Sequence, residues 1–419
     1  MLPTFRPARS KSAKSFVSAL ALGAALIGGA ALSSAIAPAV AVAQEYSDEF
    51  VTAYQPIEAV VNAEGGDLNS VSGQFPGLVA LAANADEKDA AGSLILNAGI
   101  TSNNTAWQRQ GLELRLASGK VPPESLGQFN WFVGNLALQA QDYLASRAAL
   151  EAAVANGWTQ DDPVGLIAET YYQVDDISGG ANFIVGEADK VLAAGGTIPH
   201  AWPLRGLQAA YEYGNFDAAR IFGLMLVEYH PSQTHWTNAL QVMNALADID
   251  DSVQLDLDRL MRTTNSMVQA HEYARYIAAA DPRIMSNELD GLVAQAVREG
   301  HFETDDPYYQ DIRSTIDGRM AGDREDAPTM VIEAEQDASG ESAMLAGDVL
   351  LSLSDWAGAE AMYLMAAEKG GVDANLALLR AGMMQARQGK GAEAIGNFER
   401  VTGPRELAAQ FWTAYAKSL

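Results

Sequence analysis

His271-Glu272-Tyr273-Ala274-Arg275 begins as a metal-binding helix would, with an imidazole followed at once by a carboxylate. Zinc chemistry on this pattern needs a second imidazole one helical turn later, so that two ring nitrogens face one ion. Arg275 occupies that place, and a guanidinium repels a cation instead of ligating it. His230 and His235 stand five residues apart across a proline with no Cys or acid cluster beside them, which predicts a surface or packed pair of imidazoles. Asp175-Asp176 and the group Asp248, Asp250 and Asp251 lack the alternating oxygen ligands and the glycine of a calcium loop, so they read as solvated turn acids. Ser118-Gly119-Lys120 reads as a helix end, and the glycine pairs at 179, 195 and 370 read as stops between helices instead of a phosphate loop. There is no Cys, hence no thiolate chemistry. The enzyme reading that remains is a pair of carboxylates cleaving a glycan from within a helical groove. No catalytic residue, cofactor or metal is assigned from the sequence.

The elements that would carry these residues are helices. Apolar residues recur at three- and four-residue spacing with few alternating runs, and Ala is abundant, which predicts an all-α protein. Helix starts are placed at Asp86, at Asn104-Thr105 and at Pro122-Pro123-Glu124, and Ser118-Gly119 closes one of them. Pro56 is expected to break or kink the first helix after the leader. That leader is residues 1–43: Arg6, Arg9, Lys11 and Lys14 precede an apolar run from Phe16 to Leu32, and Ala41-Val42-Ala43 offers a small-x-small cleavage site. Export by the general route into a periplasm is therefore expected, with cleavage after Ala43; an uncleaved anchor is the other reading of the run. Removing the leader's four bases leaves 23 bases against 53 acids, a net charge of −30. Such a field repels phosphate backbones and anionic lipid, so nucleic-acid binding and direct membrane insertion of the mature chain are not expected.

The chain also repeats itself. Gly134, Gln141-Asp142-Tyr143, Ser146 and Leu150 keep the offsets of Gly347, Ser354-Asp355-Trp356, Ala359 and Tyr363, and of Gly382, Gly389-Lys390-Gly391, Ala394 and Phe398. Turn residues at Asp142, Asp176, Asn215, Asp355 and Lys390 are spaced by 34, 39 and 35 residues, apart from one gap of 140. Tyr213-Gly214-Asn215 makes such a turn between two amphipathic segments, with Pro231 ending the second. A period of about 34 is that of stacked helical hairpins. At these residues the chain resembles the tetratricopeptide repeat family: a packing Gly, a turn of Gly-Asp-aromatic type, an Ala, and an aromatic four residues on. In the hairpin around Asn215, Leu207 stands where that Gly belongs and Gly223 where the aromatic belongs.

The resemblance implies a helical-hairpin repeat solenoid, degenerate in its middle. The expected organisation after the leader is an N-terminal helical region over 44–120 and repeats over 121–231. Degenerate repeats, or a separate helical domain, follow over 232–321, then an acidic loop or joint over 322–340. Further repeats with a capping helix complete the chain over 341–419. Stacked hairpins of this family line a concave channel with their first helices. Carried over by position, that channel holds Gln128, Asn135 and Gln139, then Gln208, Tyr211 and Glu212, then Asp348, Met383 and Arg387. The family's carboxylate clamp is incomplete, since Asn135 matches but Trp131 lies where Lys belongs. Most tryptophans, among Trp131, Trp202, Trp236, Trp356 and Trp412, are expected to fill seams between hairpins. The function this implies is a non-enzymatic scaffold for a protein or peptide partner in a Gram-negative cell envelope; a structural partner of an outer-membrane complex is a further reading.

Overall fold

The computed structural model describes residues 45–419, apart from Asp248 and Ile284; the leader and its cleavage site lie outside the described residues. Among the latter, regular structure is helical throughout, and the chain forms two compact units, one ending at Val174 and the other Asp175–Leu419. The first holds α1 (Asp48–Val61), α2 (Leu68–Ser72), α3 (Phe75–Leu81), α4 (Ala85–Thr101), α5 (Thr105–Ser118), α6 (Pro123–Gln139), α7 (Tyr143–Ala155) and α8 (Pro163–Tyr172). The second begins with α9 (Ile177–Ala193), α10 (Ala201–Glu212), α11 (Phe216–Tyr229), α12 (Gln233–Leu246), α13 (Asp251–Thr263), α14 (Ala270–Ala280) and α15 (Ser286–Arg298). It continues with α16 (Pro307–Gln336), α17 (Glu341–Ser352), α18 (Trp356–Lys369), α19 (Ala374–Arg387), α20 (Gly391–Phe398) and α21 (Glu406–Ala416). No described helix is long and apolar enough to cross a membrane. The unit boundary falls between α8 and α9, inside the block expected as 121–231, and 232–321 is part of the second unit.

The hairpins are made by one interlock used four times. A methyl group added at Gly134, Gly347 or Gly382 would lie 2.6, 2.7 or 2.5 Å from the side chain of Leu150, Tyr363 or Phe398 respectively. Each large residue lies sixteen positions after its glycine and fills the space where a β-carbon would stand, so the two helices approach closely. In the α10–α11 hairpin the partners are Gly206 and Phe222, 2.4 Å for an added methyl, and not Leu207 and Gly223. The same sixteen-residue spacing is kept, displaced by one position toward the N-terminus relative to the turn. All four turns share a left-handed residue before the helix cap: Gln141 (φ 62°), Gly214 (φ 67°), Ser354 (φ 63°) and Gly389 (φ 76°). Asp142, Asn215 and Asp355 then cap the second helix by accepting from a backbone N–H three residues on.

The first unit is tied at its start by Glu87, which is buried at the N-terminus of α4. Its carboxylate accepts from the Ser47 N–H (2.8 Å) and hydroxyl (2.7 Å) and from the N–H groups of Ala83 (2.9 Å) and Asn84 (3.2 Å). These donors, Ser47 foremost, hold the carboxyl down at about 2 although burial acts the other way.

Three expectations are corrected and a fourth is narrowed. Of the break or kink expected at Pro56, the break is absent, since α1 runs through the proline. The acidic stretch expected as a loop from 322 is helical to Gln336; Pro328 and Arg324, whose carbonyl the proline leaves without its helical partner, are both exposed, so the proline does not leave an orphaned carbonyl sealed in a core. Lys369 closes the end of α16 by donating to the carbonyls of Ala334 and Asp337, favourable for a cation at a helix C-terminus. Gly179-Gly180 lies in the first turn of α9, capped by Asp176, whereas Gly195 and Gly370 do end helices with φ near 73°. Lastly, α21 is not an outer cap. Phe411 and Trp412 are fully buried, Trp412 donates to the Asp256 carbonyl (2.9 Å), Arg220 to Gln410 (3.1 Å) and Lys417 to Glu228 (2.7 Å). The last helix thus packs back on α11 and α13 and closes the second unit on itself.

Candidate functional site

In the stretch without the glycine interlock, buried ion pairs lie among the apolar residues that pack the helices. α13 is buried through most of its length, with Asp256, Asp258 and Arg259 inside alongside Leu255, Leu257 and Leu260. Arg259 donates to Asp256 (3.0 Å) and with two nitrogens to Glu288 on α15 (2.8 and 3.0 Å). Arg380 on α19 pairs with Asp348 on α17, whose carboxylate also accepts from the Tyr363 hydroxyl (2.7 Å). Burial alone would raise the Glu288 carboxyl, but Arg259 and the Tyr276 hydroxyl outweigh it and hold Glu288 down at about 2. For Asp258 burial prevails and the carboxyl is raised despite its pairing with Arg275 (2.9 Å). Arg275, the residue that spoils the metal motif, is thus a structural partner, and His271 is exposed.

Among the concavities of the second unit, two gather polar side chains that the sequence or the packing singles out. One is a cleft of about 470 Å³ walled by α13, α15, α18 and α19, where Arg259, Arg262, Arg298 and Arg387 meet Glu288, Glu299, Asn287, Gln295, Trp356, Met383 and Met384. The other is a shallower groove of about 300 Å³ between α10 and α12, lined by Leu204, Leu207, Gln208, Tyr211, Asn238, Gln241, Val242 and Ala245.

The nine residues assigned to a single concave channel are not brought together. Gln128, Asn135 and Gln139 lie on α6 in the first unit. Gln208 and Tyr211 line the groove, with Glu212 beside them accepting from the Gln208 amide (2.9 Å). Met383 and Arg387 line the cleft, where Met383 is buried, and Asp348 is engaged by Arg380 and Tyr363 in the interior. Trp131, Trp202, Trp236 and Trp412 are core residues as expected, whereas Trp356 lies in the cleft with the Arg387 guanidinium 5.3 Å above its ring. Missed from the sequence were Arg259, Arg262 and Arg298; the signal available was the charges of DLDRLMR, spaced within an otherwise apolar helix. His200 was missed too. Its Nε2 lies 2.9 Å from that of His235, and its ring stacks edge-on against His230. Burial, and then His200, push the His230 imidazole below its usual value, while a bond with the Ile198 backbone acts the other way. Among the described residues no group of three or more His, Asp or Glu is arranged to hold a metal.

No family model matches the sequence, and no curated protein matches it. Eleven chains of solved structures do match. One belongs to a structure described as Naa15/Naa10 bound to HypK-THB, at 11% identity and a TM-score of 0.26, over 80% of this chain and 63% of that one. This chain therefore spans less than two thirds of the length of that neighbour.

Proposed function

We propose that the protein is a non-enzymatic scaffold of tetratricopeptide type that holds a protein or peptide partner in the cell envelope of a Gram-negative bacterium. The observation that carries this reading is the α10–α12 groove, in which Tyr211 stays 53% exposed above an apolar floor. The occupant it suits is an extended peptide segment bearing apolar side chains: Leu204, Leu207 and Val242 offer them a surface, and the Asn238 amide, with the second N–H of the Gln208 and Gln241 amides that donate to Glu212 and Glu272, supplies polar groups for a peptide backbone. The absence of enzymatic chemistry is supported by the engagement of the interior carboxylates, since Asp256, Asp258 and Glu288 each face an arginine. Periplasmic placement rests on the leader sequence and the acidic composition.

The test is capture from an envelope extract, comparing the native chain with the double variant Gln208→Ala, Tyr211→Ala. Both positions are exposed, so the fold is retained. A specific partner retained by the native chain and weakened about tenfold or more in the variant is expected, roughly the loss of one aromatic anchor. Equal recovery by both proteins would remove the groove from the account, and a mature N-terminus other than Gln44 would remove the cleavage assignment.

A further inference from the structure

The cleft between α13, α15, α18 and α19 shares no residue with the groove and carries charge of the opposite sign to the chain. With 53 acids against 27 bases, an arginine here has carboxylates in excess to choose from. Nevertheless, among the described residues Arg262, Arg298 and Arg387 have no carboxylate oxygen within 4 Å, and only Arg259 is paired. The two glutamates of the wall make their hydrogen bonds to other groups. Glu288 is held by Arg259 and Tyr276, and Glu299 by the Tyr273 hydroxyl and the Gln295 amide. Four guanidiniums line the cleft against two carboxylates, with Asp256 behind Arg259, so positive charge is in excess around one concavity.

Each unpaired arginine is held at the cleft by a distinct feature. Arg262 donates once, to the Glu288 carbonyl (3.1 Å), and Gly291 makes room for it, since an added methyl there would lie 2.8 Å from its Nη2. Arg387 makes no hydrogen bond among the described residues and rests on Trp356. Burial lowers its affinity for a proton, although Tyr276 and Glu288 act the other way. Arg298 is exposed at the rim. Guanidiniums placed together, partly desolvated and unpaired repel one another, and an anion that accepts from their forks relieves that cost.

We propose that this cleft binds a small polyanion carrying phosphate or carboxylate groups, with Arg262, Arg298 and Arg387 clasping its oxygens and Trp356 and Met384 flanking its carbon skeleton. The cleft's volume suits a small molecule and not a folded partner.

Isothermal titration calorimetry on the full chain tests this with inorganic pyrophosphate and citrate as probes and glucose as the uncharged control. At least one anion is expected to bind with a Kd below roughly 1 mM, weakened about tenfold or more by Arg298→Gln with Arg387→Gln. Binding is expected to weaken further as salt is raised. Preference for pyrophosphate assigns a phosphate compound, and preference for citrate a polycarboxylate. Arg298→Gln alone, at an exposed position, keeps the test valid should the Arg387 change disturb folding. Failure of both anions to bind at roughly 10 mM, or binding that the substitutions leave intact, overturns the proposal.

Discussion

Replacing Arg259 by Met removes the centre of the buried charge chain in the second unit while keeping an unbranched side chain in its place. Arg259 is 1% exposed and makes three hydrogen bonds to two carboxylates, at 2.8 to 3.0 Å. Glu288 sits at about 2 against an ordinary 4.5, which at about 1.36 kcal/mol per unit corresponds to roughly 3 kcal/mol. With Met in place the burial of Glu288 and Asp256 is no longer offset by a shared cation, so the expected loss is about 3–5 kcal/mol, as for breaking other buried pairs. For a unit of this size that is a fall in melting temperature of about 10 °C. The pH dependence has a definite sign. Because the folded pKa of Glu288 is depressed, its stabilisation is present above about 4.5 and is lost as pH falls from there through about 2. Thermal and urea unfolding followed by circular dichroism at pH 7 and pH 3 should therefore show a large gap between native and variant proteins that narrows on acidification. Melting within about 2 °C of the native protein at pH 7, or a gap that stays constant with pH, would refute the claim that the Arg259 pairing stabilises the second unit.

Two further substitutions probe the hairpins and the N-terminal tie. Gly206→Ala should cost about 1–3 kcal/mol, because its methyl would meet the Phe222 ring at 2.4 Å, whereas Gly223→Ala, with its nearest neighbour at 3.4 Å, should be neutral or stabilise by a few tenths of a kcal/mol through helix propensity; the reverse order in urea unfolding would restore the unshifted register. Glu87→Ala leaves the hydroxyl of Ser47 and three backbone N–H groups without their acceptor, so hydrogen exchange across α1 should accelerate about tenfold or more, and unchanged protection there would discount the tie.

Helices and turns were legible because their signals are local. Apolar spacing, the caps at Asn104, Asp142, Asn215 and Asp355, and the Gly-to-large-residue spacing at 134 and 150, 347 and 363, and 382 and 398 are all written within some twenty residues, and the structure uses them. The Gly206–Phe222 pair was misassigned because the turn was taken as the reference point, whereas contact between helices chooses the partner that fits. Pro56 was read as a break or kink from a rule about backbone donors and 322–340 as a loop from its run of acids, but whether a helix survives a proline such as Pro56 or Pro328 depends on what faces the orphaned carbonyl, a property of the surroundings.

The candidate sites lie further from the sequence. Gln208 and Tyr211 were placed on one groove wall by their position on the first helix of a hairpin, while Asn238 and Gln241 opposite them come from the next hairpin. The arginines of the cleft come from α13, α15 and α19, more than 120 residues apart along the chain between Arg259 and Arg387. What the sequence determined by itself was the helical class, the hairpin period and the acidic character, since periodicity, turn chemistry and charge are carried by neighbours in the chain. Only the tertiary structure decided that α21 returns to cover α11 and α13, that Asp348 and Met383 face inward, and that unpaired arginines meet in one cleft. The physical reason is that these outcomes depend on which helix faces bury each other and on which charges then lack a partner, and both are set by long-range packing.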